Sequence, residues 1–186
     1  LTAVGYLARA RRLGAHFGSA VAEQPWHCLR VMAIHNAANN VFPMRTGEIS
    51  FPLLMRREFG VRTAPAVASL LWLRGLDLLA LVAIVGATFV ALRADGPAID
   101  AAITTGVALC LVAPWATAAF VPRTPRRFAR VATLLSQGMP RDRRSLLATH
   151  VWTLLHWTSK VAAYAWLLSR LGEIGVTTSV LAAVAG

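Results

Sequence analysis

Residues 64–92 read APAVASLLWLRGLDLLALVAIVGATFVAL, a run of 29 residues whose only charges are Arg74 and Asp77. At about 1.5 Å per residue such a helix is roughly 43 Å long, and about 20 apolar residues suffice for the hydrocarbon core of a bilayer. Two further runs, 101–121 and 145–169, approach or exceed that length, and a fourth begins near Ile174. Of the 186 residues 56% are apolar, against roughly 45–50% in soluble domains. Several long apolar runs in series predict an all-α, polytopic transmembrane helix bundle. The chain starts at Leu1 and stops inside its last run, which reads as the middle of a longer protein.

The net charge of +11 comes from 19 basic and eight acidic residues. Concentrated on a soluble surface, this excess would suggest nucleic acid, but here it alternates between the apolar runs. Residues 45–62 carry four Arg and two Glu, 93–100 one Arg and two Asp, and 122–144 seven Arg and one Asp. Residues 170–173 balance to zero. Basic segments face the cytoplasm in membrane proteins, so 45–62 and 122–144 are expected inside and the other two outside. Nucleic acid is not expected as a partner, because the surface that carries this charge would face a membrane. Cys28 and Cys110 lie in apolar surroundings without paired spacing, and predict neither a disulfide nor a metal site.

Upstream of the long runs the pattern changes. Arg9, Arg11 and Arg12 close residues 1–12 like the flank of a preceding helix. Residues 26–42 then give a helix of about 17 residues containing Arg30, His35, Asn36, Asn39 and Asn40. It is short and polar for a span, so residues 26–60 are expected to form a re-entrant or broken-helix region facing an interior cleft. Pro43 and Gly47 break the helix, Gly47 allowing a tight reversal. Ser50 is expected to N-cap a short helix with Pro52 in its first turn, and Gly60 to close it as a left-handed C-cap. In the basic loop 122–144 a short interfacial helix is expected around 126–135, and residues 174–186 read as the start of a further helix.

Three polar features stand out. Asn36, Asn39 and Asn40 follow i, i+3, i+4 spacing and share a helical face. Unpaired amides in lipid are costly, so this face packs on protein or lines a wet cavity, with Arg45 and Glu48 presented on the break that follows. A capped surface turn with Arg45 and Glu48 as a solvated ion pair is the plainer alternative. Arg74 and Asp77, i, i+3 neighbours within the best span, can pair with each other; Asp77 can equally reach Arg45. Intramembrane charges mark functional sites by default, although a structural ion pair explains them too. Lastly His150, Thr153, Trp157, Lys160 and Tyr164 form a stripe along 145–169, fit for a helix seam or for a headgroup path with Lys160 attracting phosphate. His150 and His156 do not share a face, so no metal pair is expected. No phosphate loop, catalytic motif or cofactor signature occurs, and no enzyme activity is expected of this chain.

The ordered set Asn39-Asn40-x-x-Pro43-x-Arg45-x-Gly47-Glu48, then Leu53-Leu54, Phe59-Gly60-Val61 and Arg74-x-x-Asp77, resembles the transmembrane region of the lysylphosphatidylglycerol synthase/flippase-like family. The likeness is dense over residues 33–92. It departs at Leu73, where members often carry an acid, and at Ser50 and Phe51, where an arginine is frequent. The resemblance implies a multi-pass bundle of the cytoplasmic membrane that translocates a phosphate-bearing lipid, anionic or aminoacylated, with a homo-oligomer or a synthase as further partner. No synthase domain is included in this chain, and synthase activity is not carried over.

On that footing the expected substrate-binding residues are Asn36, Asn39, Asn40, Arg45, Glu48, Arg74, Asp77 and Lys160, with Pro43, Gly47 and Gly60 shaping the motif. Arg45 and Arg74 would attract the phosphate, while Glu48 and Asp77 would balance charge and recognise a cationic headgroup. Two other classes compete: a membrane enzyme or lipid-presenting subunit marked by His150 or His156, and a scaffold whose charges only hold helices together.

Overall fold

The computed structural model describes residues 2–92, 97–121, 129–140 and 142–170, and among these the chain is all-α with no strand. The helices are α1 (Thr2–Phe17), α2 (Ser19–Ala22), α3 (Pro25–Val41), α4 (Ser50–Phe59), α5 (Thr63–Leu92), α6 (Pro97–Phe120), α7 (Ala129–Gly138) and α8 (Arg143–Arg170). A 3-10 turn, Pro43–Ile49, joins α3 to α4.

Helices α5 and α6 are long and apolar enough to cross a membrane, and they pack on each other as neighbours in the chain. Gly86 makes the approach close, since a Cβ there would lie 2.7 Å from Val107 Cγ2; small residues at such seams let membrane helices draw together. Pro114 sits inside α6, and the outward face of α6 carries exposed Leu109, Val112 and Phe120. The run 145–169 falls within α8, yet α8 does not reach the hydropathy of the other two. Its polar residues explain this. Thr149, His150, Thr153 and His156 are buried while Leu147, Val151, Leu155 and Leu167 are exposed, so the polarity points inward, as it must where lipid is outside.

The N-terminal part corrects the sequence reading most. Residues 1–12 are not merely a flank: α1 continues to Phe17 and packs between α3 and α8. Gly18 reverses the chain at φ 89°, and Gly14 lies so close to Ala22 that a Cβ would stand 2.9 Å from its Cα. Cys28 closes the same turn, donating its thiol hydrogen bond to the Val21 carbonyl at 3.3 Å. Leu13, Val21, Cys28, Val31, Met32, Phe51, Met55, Ala66, Leu70 and Leu73 form one buried cluster that seats α4 against α3 and α5, and the 3-10 turn packs on α3.

Two local expectations fail for physical reasons. The 3-10 turn runs directly into α4, so Ser50 is already helical and makes no cap bond; its hydroxyl lies 3.1 Å from His35 Nδ1 instead. Gly47 has no positive φ. A Cβ there would collide with the Ala38 carbonyl and come within 2.6 Å of Asn39 N, so glycine serves close backbone approach rather than a reversal. Gly60 does close α4 in the left-handed region, at φ 66°, its N–H donating to the Arg56 carbonyl at 3.0 Å.

In the basic segment 122–144, α7 is helical over Ala129–Gly138, where a loop with a helix around 126–135 was expected, and residues 122–128 and 141 lie outside the described residues. Gly138 abuts the Ala68 backbone, which ties α7 to the first half of α5. Asp142 then caps α8, accepting from the Ser145 backbone N–H at 2.7 Å and its hydroxyl at 3.0 Å. These bonds, the backbone one foremost, hold its carboxyl below the usual range. The segment 93–96 and the apolar residues 174–186 lie outside the described residues.

Candidate polar cleft between the helices

Asp77, about 20 Å along α5 from its start, has its nearest cation on another helix. Arg12 of α1 pairs with both carboxylate oxygens, and the Trp157 indole N–H of α8 donates to Oδ1 at 3.0 Å. Arg12 also donates to Thr153 Oγ1 at 3.3 Å. The Arg12 and Asp77 side chains are only 8% and 12% exposed, so α1, α5 and α8 meet at a buried ion pair. The intrahelical Arg74–Asp77 pair is therefore not what forms; the Asp77–Arg45 alternative falls on a side chain outside the described residues.

Arg74 turns instead to Glu48 of the 3-10 turn, with Nη2 to Oε1 at 2.9 Å and both side chains about a third exposed. The expected Arg45–Glu48 pair falls on a side chain outside the described residues.

One turn from Arg12, Arg9 donates from Nε to His156 Nε2 at 3.1 Å and from Nη1 to Asn36 Oδ1 at 3.0 Å. An arginine N–H can only donate, so His156 is the neutral tautomer with its proton on Nδ1, an atom buried without a partner among the described residues. Asn36 Nδ2 in turn donates to Tyr6 Oη at 2.6 Å. Asn39 Nδ2 donates to His35 Nε2 at 3.2 Å, and Asn39 Oδ1 is buried without a partner among the described residues. Lys160 Nζ lies over two aromatic faces, 4.9 Å from the Trp157 ring centre and 5.6 Å from that of Tyr164.

These side chains line two adjoining chambers. The smaller, about 230 Å³, is bounded by residues that include Arg9, Arg12, Asn39, Glu48, Arg74 and Asp77. The larger, about 340 Å³, is bounded by Tyr6, Arg9, His156, Ser159, Lys160 and Tyr164 among others. Asn36, Asn40 and Arg9 belong to both walls. Among the described residues four cations (Arg9, Arg12, Arg74, Lys160) face two carboxylates, an excess of two positive charges. On the other face of α5, Val67, Leu71, Leu79 and Pro114 line an apolar cavity of about 580 Å³.

Of the residues expected from the sequence, Asn36, Asn39, Asn40, Glu48, Arg74 and Asp77 come together in the smaller chamber, and Lys160 joins Asn36 and Asn40 in the larger. Of the stripe on α8, His150 and Thr153 are buried in the seam, while Trp157 reaches Asp77. Sequence reasoning missed Tyr6, Arg9 and Arg12 as cleft residues; it placed His35 in the cleft-facing helix without a role and named His156 only as the mark of a competing enzyme. The signal was present in α1: Gly5, Arg9, Arg12 and His16 follow helical spacing beside Ala8 and Leu13, a polar stripe on a small-residue helix.

Among the described residues no cluster of His, Cys, Asp or Glu is placed to hold a metal ion. Outside the bundle, Glu58 of α4 lies 2.8 Å from His27 Nδ1 and 3.6 Å from Arg30; the hydrogen bond with His27, then the Arg30 charge, keep its carboxyl below the usual range.

A family model described as the lysylphosphatidylglycerol synthase TM region matches residues 1–186. No curated protein and no solved structure matches the chain.

Proposed function

The chain belongs to the lysylphosphatidylglycerol synthase transmembrane-region family, and from that membership we propose that it carries phospholipid between the leaflets of a cytoplasmic membrane, the headgroup passing through the polar cleft. Family membership gives the chain a membrane role in lipid metabolism or transport; translocation is the finer reading. The observation that carries it is the cleft itself, a polar space with excess positive charge whose enclosing helices turn Leu78, Val82 and Val151 outward.

A bare charge at the bilayer centre costs several kcal/mol or more. Fixed guanidinium, ammonium and amide groups at that depth replace the water that a headgroup phosphate gives up, and so lower the barrier to crossing. The apolar cavity on the far face of α5 and the lipid outside offer room for acyl chains that never leave hydrocarbon. In this reading the protein is multi-pass, its basic helix ends lie in the cytoplasm, and the chain itself performs no catalysis.

The test is leaflet-resolved translocation of fluorescent phosphatidylglycerol in proteoliposomes. Asn36→Leu removes an amide shared by both chambers and should abolish translocation in a protein that still reconstitutes, whereas lipid-facing Leu78→Ala should not. Equal rates for Asn36→Leu and the parent would refute a path through the cleft.

A further inference from the structure

We infer that the larger chamber selects a phosphodiester headgroup that carries no ammonium, with Arg9 and Lys160 as its phosphate-binding pair. The inference rests on the translocation reading above and narrows its substrate class.

Both carboxylates of the cleft are already engaged. Asp77 is taken by Arg12 and Trp157 and is nearly closed to solvent. Glu48 is taken by Arg74. Neither borders the larger chamber, whose wall, among the described residues, contains no Asp or Glu. An ammonium group entering there would meet two cations and no free counter-charge.

The cations of this chamber are in the opposite position. Among the described residues the hydrogen bonds of Arg9 go to His156 and Asn36, both uncharged, and leave its Nη2 without a bond. Among the described residues the contacts of Lys160 are the ring faces of Trp157 and Tyr164. Each keeps N–H donors available to an anion, and Tyr6, whose oxygen already accepts from Asn36, has its own O–H left to donate. Guanidinium, ammonium and phenol on one wall form a phosphate-type donor set.

Aromatic faces can also bind a ligand's quaternary ammonium. Here that place is occupied by Lys160 itself, which turns a potential choline cage into an anion site. The chamber, about 340 Å³, falls within the range of small-molecule pockets and accommodates a glycerophosphate-sized group.

The test compares phosphatidylglycerol, lysyl-phosphatidylglycerol and phosphatidylcholine in translocation by proteoliposomes and in retention by the full chain under native mass spectrometry. Phosphatidylglycerol should move at least about tenfold faster than the lysylated lipid, since like charges brought together at a binding site are strongly disfavoured. Lys160→Gln should erase that preference and Lys160→Arg should keep it. Equal or faster movement of the lysylated lipid would overturn the inference while leaving translocation standing. If no lipid moves, the translocation reading fails, and retention then decides the headgroup preference: selective retention of phosphatidylglycerol supports it, equal retention overturns it. Millimolar inorganic phosphate should not displace the retained lipid; displacement would assign the site to free phosphate and overturn a lipid headgroup as its ligand.

Discussion

Replacing Asp77 by alanine should be the most damaging single change in the cleft, because it strands Arg12. The Arg12 side chain is 8% exposed and has Asp77 as its ion-pair partner, and the same change removes the acceptor of the Trp157 indole. Breaking one side of a buried pair costs roughly 3–5 kcal/mol. The Glu48–Arg74 pair, about a third exposed, is worth on the order of 1 kcal/mol or less. Asp77→Ala should therefore lower the unfolding temperature by on the order of 10 °C, and Glu48→Ala by a few degrees at most. The double change Arg12→Met with Asp77→Leu removes both charges and should regain most of the loss, since apolar replacement of a buried pair is often close to neutral. Scanning fluorimetry in nanodiscs reads these three variants beside the parent. The reasoning is refuted if Asp77→Ala unfolds with the parent, if Glu48→Ala costs as much, or if the double variant stays as low as Asp77→Ala.

Gly47→Ala should displace the 3-10 turn from α3, because the new methyl overlaps the Ala38 carbonyl; overpacking of this kind costs roughly 1–3 kcal/mol, seen as a lower unfolding temperature and faster proteolysis between α3 and α4. Acid should loosen the ends of α4 and α8 before the core. Glu58 and Asp142 both have carboxyl pKa values lowered by the fold, so their stabilisation is complete above the ordinary carboxylate range near 4 and fades as pH falls through the folded values. Hydrogen exchange between pH 6 and 3 should show this fading, and the double variant Glu58→Gln, Asp142→Asn should flatten it.

The long helices were legible because lipid contact demands uninterrupted apolar surface: residues 64–92 and 101–121 announce α5 and α6 without help from any partner. Helix α8 was legible for a subtler reason, since its outward leucines and valines preserve the run although its buried face carries Thr149, His150, Thr153 and His156. The Asn36, Asn39 and Asn40 face followed from helical spacing alone. What local rules could not supply were partners. An i, i+3 rule couples Arg74 to Asp77, but the structure pairs each with a distant segment: Arg12 is 65 positions from Asp77, and Glu48 is 26 from Arg74. Gly47 shows the same limit. Its need for glycine was visible, but the cause, the backbone of α3 pressing on it, belongs to tertiary packing.

The central claim, that a lipid headgroup occupies the cleft, is tested most directly by photo-crosslinking. Phosphatidylglycerol carrying a diazirine on its headgroup, activated with the protein in nanodiscs and mapped by mass spectrometry, should label peptides containing Asn36, Asn40 and Lys160, and Asn40→Trp should suppress that labelling by filling the shared wall. Labelling confined to helix ends, unchanged by Asn40→Trp, would contradict the account.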